Sequence, residues 1–252
     1  MAEEELIYGH AKQALQSLTN RKKRWNERIS DFFWEVFIII VAVNITLWFH
    51  DWSEKRHDRE LEKNFLIGTS NDLDMVRSSL DKYSTYYQPT LDYYDSVWVQ
   101  MNDHRIDTAF VDTYSYLLTN TMYFEYDNSR FESFKFSGYL RLIENPELSE
   151  EISSLYTVWL PNRKTNDNTI FDAKRQDFTT YIGSKVSIDS SGKMQVSKLL
   201  NNPEVKYQIY AQKFLLQEMK VQKQDLRQRI ERLINLIDEE LKNRFKYKEK
   251  ES

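Results

Sequence analysis

Apolar positions along the chain fall into one continuous block flanked by periodic stripes. From Phe32 to Phe49 the sequence reads FFWEVFIIIVAVNITLWF, and almost every position is apolar. Before it, Leu6, Ala11, Leu15 and Leu18 recur at near-helical spacing behind Glu3, Glu4 and Glu5, which predicts an amphipathic helix over residues 2–29. After it polarity rises, but Leu61, Phe65, Asn71 to Leu73, Val76, Leu80 and Tyr83 continue a helical stripe with Gly68 as a local weak point. Pro89 predicts the end of that helix, with a second one over residues 90–101. Residues 103–120 predict a further helix with Ile106, Phe110, Tyr114 and Leu117 or Leu118 on its buried face. TMYFEYDNSR reads as a loop, and Phe131 to Ile143 as a compact helix.

Asn145-Pro146-Glu147 combines an N-cap, a proline at the first helical position and an acid in the first turn. The helix it starts is predicted to stop near Leu160, where Pro161 and the polar string Asn162 to Asn168 intervene, and to resume over Phe171 to Ile182. SIDSSGKM is a turn signal, with Lys185 to Ile188 a candidate extended segment. Asn202-Pro203-Glu204 repeats the helix-start chemistry and opens what is expected to be the longest helix, reaching about Lys248. In it Leu226, Ile230, Leu233, Ile237 and Leu241 alternate by threes and fours, the spacing of a bundle or coiled-coil seam.

The apolar block is long enough to cross a bilayer: roughly 18 residues at about 1.5 Å each reach about 27 Å. Trp34 at one end and Trp48 and Trp52 at the other are the expected interface anchors. No small-residue cleavage site follows the block, so it is expected to persist as an anchor. On a helical wheel Glu35, Ala42 and Thr46 share a face with Ile39, a candidate intramembrane helix contact, and Asn44 lies nearly opposite. The alternative is that Glu35 reaches the interface and Asn44 is tolerated. Arg21, Lys22, Lys23, Arg24 and Arg28 precede the block; Lys55, Arg56, Arg59 and Lys63 follow it. This small bias favours a cytoplasmic N-terminus. The first helix then either lies on the lipid surface or is solvated and only orients the span.

Composition changes this picture little. The 252 residues carry 35 basic and 39 acidic side chains, which gives no electrostatic argument for a nucleic-acid partner. Only 5 Gly and 4 Pro disfavour turn-rich β architectures, while 16 Tyr and 14 Phe can fill a core. The absence of cysteine excludes disulfides and thiolate chemistry. His10, His50, His57 and His104 are scattered, and Asp72-Leu73-Asp74 lacks the glycine turn of a calcium loop. There is no nucleophile elbow, phosphate loop or dinucleotide fingerprint, so neither cofactor, metal nor catalytic residues are expected. Lys220, Lys223, Arg227, Arg229 and Arg232 read as the solvent face of the last helix.

Two blocks carry a family resemblance. The first follows the span: Trp52-Ser53-Glu54-Lys55-Arg56 stands where the family has Trp-Asn-Glu and a basic run, with Ser53 in place of Asn. The second is Ser137-Gly138-Tyr139-Leu140-Arg141-Leu142-Ile143-Glu144-Asn145, then Leu148 and Tyr156. In these, from about Trp25 to Leu241, the chain resembles an uncharacterised family of single-pass inner-membrane proteins of Gram-negative bacteria. The span here lacks the glycines usual in that family. The resemblance implies an inner-membrane protein with a helical extracytoplasmic domain, and no activity. Read on physical grounds, Trp52 anchors the interface, Glu54 pairs with Arg56 and Arg59, and Gly138 beside Ser137 lets a neighbouring helix approach.

The expectation is therefore an all-α chain whose single transmembrane helix continues into a helical-bundle extracytoplasmic domain with a long C-terminal helix. Residues 1–30 form the cytoplasmic basic helix, 31–50 the span, 51–88 a membrane-proximal rod and 89–252 the periplasmic domain. The expected function is a non-enzymatic interaction or scaffold subunit in contact with membrane lipid and with a protein partner or further copies of itself. A periplasmic ligand sensor signalling through a separate partner is the alternative, and a membrane-bound enzyme the weakest.

Overall fold

The computed structural model describes residues 2–120 and 123–247, with side chains from residue 32 onward except at 170. The amphipathic face and basic cluster expected over residues 2–29 thus concern side chains outside the described ones, as does the tail beyond residue 247. The described chain is all α apart from short 3-10 segments, two π-turns and one isolated bridge between Ile188 and Met194. It divides into two compact units, Met1–Arg59 and Glu60–Ser252.

The first unit is a helix. Its stretch from Phe32 is apolar enough to cross a membrane, with mean hydropathy 2.1 in the best window and none of that window buried. Asn44 donates its side-chain amide to the Ile40 carbonyl at 2.7 Å, and the Thr46 hydroxyl donates to the Ala42 carbonyl at 2.9 Å. The Asn44 and Thr46 side chains are thereby satisfied by their own helix, as an apolar solvent requires.

The second unit is organised by three long helical runs. Helix α1 (Ala2–Asp103) contributes its later residues, followed by α2 (Thr108–Thr113), a 3-10 turn (Ser115–Thr119) and α3 (Ser129–Phe136). A second run joins α4 (Pro146–Ser154), α5 (Leu160–Thr165) and α6 (Asp172–Lys185) through π-turns at Leu155–Trp159 and Asn166–Phe171. Helix α7 (Pro203–Phe245) is the third. Cross-helix pairs set the register. Glu62 meets Arg244, Asp81 meets Arg227 and Asp95 meets Lys213, so α7 runs antiparallel to α1. Asn145 meets Glu240, Glu151 meets Arg229 and Lys174 meets Gln212, so α7 is antiparallel to the second run too.

Two apolar clusters fill the bundle. One gathers Phe65, Leu66, Leu73, Val76 and Leu80 of α1 with Phe131, Phe134, Leu148, Ile152 and the predicted α7 seam, Leu226, Ile230, Leu233, Ile237 and Leu241. The other gathers Tyr83, Tyr87, Leu91, Tyr94 and Val97 with Leu118, Phe178, Ile182, Ile209 and Leu216. The buried Tyr93 and Tyr94 donate their hydroxyls to the carbonyls of Val111 and Leu118, which ties the α2 region to α1.

Both helix starts occur as expected. The Asn145 side chain accepts from the Leu148 amide, and that of Asn202 from the Glu204 amide. Four expectations about where helices begin, end or turn fail. Pro89 does not end α1, because it sits on an exposed face where its lost backbone bond is open to water, while Tyr87, Thr90 and Leu91 on either side are buried. Pro161 does not interrupt the second run. The π-turn before it shifts the hydrogen-bond ladder, with the Leu160 amide donating to the Leu155 carbonyl. The helix expected over Phe131 to Ile143 stops at Phe136, where Gly138 adopts φ +72°. The helix expected over residues 103–120 is two short turns, and Tyr114 is exposed.

The two glycines exchange roles. A Cβ on Gly138 would meet nothing within 4 Å, so it serves backbone conformation and no neighbour packs on it. A Cβ on Gly68 would collide with the Arg130 guanidinium, which crosses α1 there to bond Asp72 at 2.7 Å.

Candidate functional site

The residues nominated from sequence hold separate places. Trp34, Trp48 and Trp52 are all exposed, as are Glu35, Ala42 and Thr46. The Arg56 guanidinium lies over the Trp52 ring at 5.8 Å, and Glu54 faces His50 at 3.9 Å. His50, Asp51 and Glu54 cluster closely enough to hold an ion, but all three are solvent-exposed, the ordinary state of a charged helix face. Ser137 donates its hydroxyl to the Ser133 carbonyl, Gly138 supplies the left-handed step, and Asn145 caps α4 while its amide reaches Glu240. These three residues serve the local backbone.

The site with unusual electrostatics was not nominated. Lys223, expected on the solvent face of α7, is buried. Its ammonium pairs with Asp167 and lies over the Tyr83 ring, 3.4 Å from the centroid, with Phe124 at 4.9 Å. Asp167 comes from the polar string expected to be a loop. The second π-turn, Asn166–Phe171, carries it inward, and its side chain is 1% exposed. The Arg163 guanidinium stands 3.9 Å from the same carboxylate and bonds Gln222. Arg175, 4% exposed, packs over Phe171, and its Nε and Nη2 meet no hydrogen-bond partner. Asp167 Oδ1 and the Tyr83 hydroxyl are buried without one as well.

Burial pushes the Lys223 ammonium below its ordinary pKa, partly opposed by Asp167, and the neighbouring Arg163 pushes the same way as burial. Burial drives the Tyr83 phenol well above its ordinary value, with Tyr87 and Asp167 adding to the effect. Tyr83 is therefore a hydrogen-bond donor at neutral pH. Lys223 and Arg163 share the Asp167 carboxylate within ion-pair distance, and the buried Arg175 has no ion pair among the described residues. Such an imbalance away from water is unfavourable unless something compensates it.

A cavity of about 480 Å³ opens beside this cluster between α1 and α7, within the usual size of small-ligand pockets. Tyr83, Tyr87, Leu91, Met219, Lys223 and Arg227 line it. On its rim Arg227 pairs with Asp81 and Glu231, while Lys220 donates to the neutral Gln88 amide. Of the buried charged cluster, Lys223 lines the cavity.

A second surface runs along α7. Tyr207, Tyr210, Phe214 and Val221 are exposed at intervals of three, four and seven residues, so they form one row on the helix. Tyr210 packs against Trp98 of α1 at 5.2 Å. The spacing was present in the sequence, behind the stronger stripe that fills the core. The cation cluster had no local signal, since Asp167 and Lys223 lie 56 positions apart.

No protein-family model, curated protein or solved structure matches the chain.

Proposed function

We propose that this chain is a membrane-anchored, non-enzymatic interaction protein whose helical domain associates with a second copy of itself. The observation that carries this is the exposed row Tyr207, Tyr210, Phe214 and Val221 on a chain that also bears an exposed apolar helix of spanning length. Aromatic side chains in a row at coiled-coil spacing are self-complementary, and an anchor raises the effective concentration of such domains. A patch too small for tight association in solution is then sufficient.

The resemblance to single-pass inner-membrane proteins supports the bacterial inner membrane as the location. The basic residues before Phe32 support a cytoplasmic N-terminus and a periplasmic domain. The exposed Glu35, Ala42 and Thr46 face is a second contact between copies within the bilayer.

The test is site-specific photocrosslinking in native membranes. A photoreactive residue at Phe214 should trap a dimer, and one at the exposed Gln176 should not. Phe214→Glu should remove the adduct formed from position 207. A monomer at both positions, or adducts only with other proteins, would overturn the reading. A periplasmic reporter active at Ser252 checks the orientation.

A further inference from the structure

We propose that the cavity between α1 and α7 is a binding site for a small organic monoanion with an apolar body, of about the size of an arylcarboxylate. The inference goes beyond self-association and rests on separate residues.

The floor determines the charge of the ligand. Lys223 lines the cavity, and behind it Arg163 shares with it the single Asp167 carboxylate, so two cations stand against one acid. One added negative charge lowers the excess without leaving a new carboxylate unpaired. Cations held in a low-dielectric setting focus potential into an adjoining cleft, so an anion gains more here than at the rim, where Arg227 is already matched by Asp81 and Glu231. Tyr83, whose buried hydroxyl lies against Tyr87, lines the cavity beside Lys223.

The walls determine the rest of the ligand. Tyr87, Leu91, Leu216 and Met219 present an aromatic ring and aliphatic surface. Tyr83 and Tyr87 stack on each other with centroids 4.4 Å apart, which holds the two rings as one rigid aromatic wall. A flat apolar body therefore fits against these walls, with the anionic group directed to Lys223. A strongly hydrated inorganic anion would leave those walls unfilled.

The probe is 4-fluorophenylacetate, with neutral 4-fluorophenylacetamide as its control. Binding is read by fluorine NMR on the full chain in zwitterionic lipid nanodiscs, against empty discs. The expected result is saturable binding of the acid, roughly ten-fold or more tighter than the amide. Lys223→Met should weaken the acid by about the same factor, and Asp167→Asn, which removes the competing carboxylate, should tighten it. Because either change can disturb the core, Ser84→Trp provides an independent arm. Ser84 lines the cavity from an exposed position, so an indole there blocks the space without touching the buried charges. It should abolish binding with the thermal midpoint unchanged. Equal binding of acid and amide, no saturable binding of the acid, or undiminished binding to Ser84→Trp would each overturn the proposal.

Discussion

Removing Arg244 should destabilise the domain more than removing its buried partner Glu62, and the difference follows from how each would be left. Glu62 is 1% exposed and receives both Arg244 nitrogens at 2.6 Å, plus the Glu144 amide at 3.1 Å. Arg244 is 18% exposed and also reaches Glu240 at 3.1 Å and Glu144 at 2.8 Å. Burial works to lower its pKa, yet bonding to Glu62 and Glu240 outweighs this and holds it above the ordinary value. Arg244→Met strands a buried carboxylate with one backbone donor, a change that costs about 3–5 kcal/mol. Glu62→Gln keeps a hydrogen bond, and Arg244 retains two carboxylates, so that cost is about 1–2 kcal/mol. For a domain of this size each kcal/mol moves the midpoint by about 2–4 °C, giving losses of about 6–20 °C and 2–8 °C. Near-UV circular dichroism of the full chain during heating, in mild detergent, reports loss of tertiary packing. The double variant Glu62→Leu with Arg244→Met should recover much of the larger loss, because no stranded charge remains. A Glu62→Gln loss equal to or larger than that of Arg244→Met would refute the reasoning.

Three further outcomes follow from features of the helices and core. Pro89→Ala should raise the midpoint, by an amount equivalent to as much as about 3 kcal/mol, since the new amide can donate to the Thr85 carbonyl within a continuous helix; an unchanged or lowered midpoint in the same heating experiment contradicts this. Gly138→Ala should cost about 1–2 kcal/mol through its positive φ, with Gly138→Asn costing less, whereas Gly68→Ala should cost little in midpoint but release the Arg130–Asp72 bond, read as loss of the Arg130 guanidinium shift in NMR. Burial raises the phenol pKa of Tyr83, Tyr93, Tyr94 and Tyr156, so their contribution to stability is whole below about 10, the unfolded value, and is lost as pH rises beyond it; absorbance at the phenolate band should show a late-ionising class that appears only with unfolding.

Elements whose signal is local were legible in the sequence. The caps Asn145-Pro146 and Asn202-Pro203 act through neighbouring amides, and the Leu226 to Leu241 seam acts through one helix face, so each is written in consecutive positions. The apolar block from Phe32 is legible for the same reason. Proline misled at Pro89 and Pro161 because its effect depends on what the missing amide would have met. That is solvent in the first case and an already shifted ladder in the second. Gly68 and Gly138 were misread because a glycine's role is set by the space around it, which no spacing encodes. Lys223 and Asp167 looked like ordinary solvated charges, since burial of a helix face is decided by partners far away in sequence.

The two π-turns also bear on how this chain can be compared with others. Each is a turn that holds one residue more than an α-helical turn without breaking the rod, the geometry a one-residue insertion would produce. A distant relative without them would be shorter by one position in each segment, so a correct alignment must open single gaps inside helices, at Leu155–Trp159 and at Asn166–Phe171. Without the second insertion, residues around Asp167 would turn by about 100° relative to the helix on the other side. The acid would leave Lys223, and the lysine would have no reason to remain. Presence of the gap and identity of the residue at position 223 should therefore change together across relatives, a covariation between a length difference and a distant side chain.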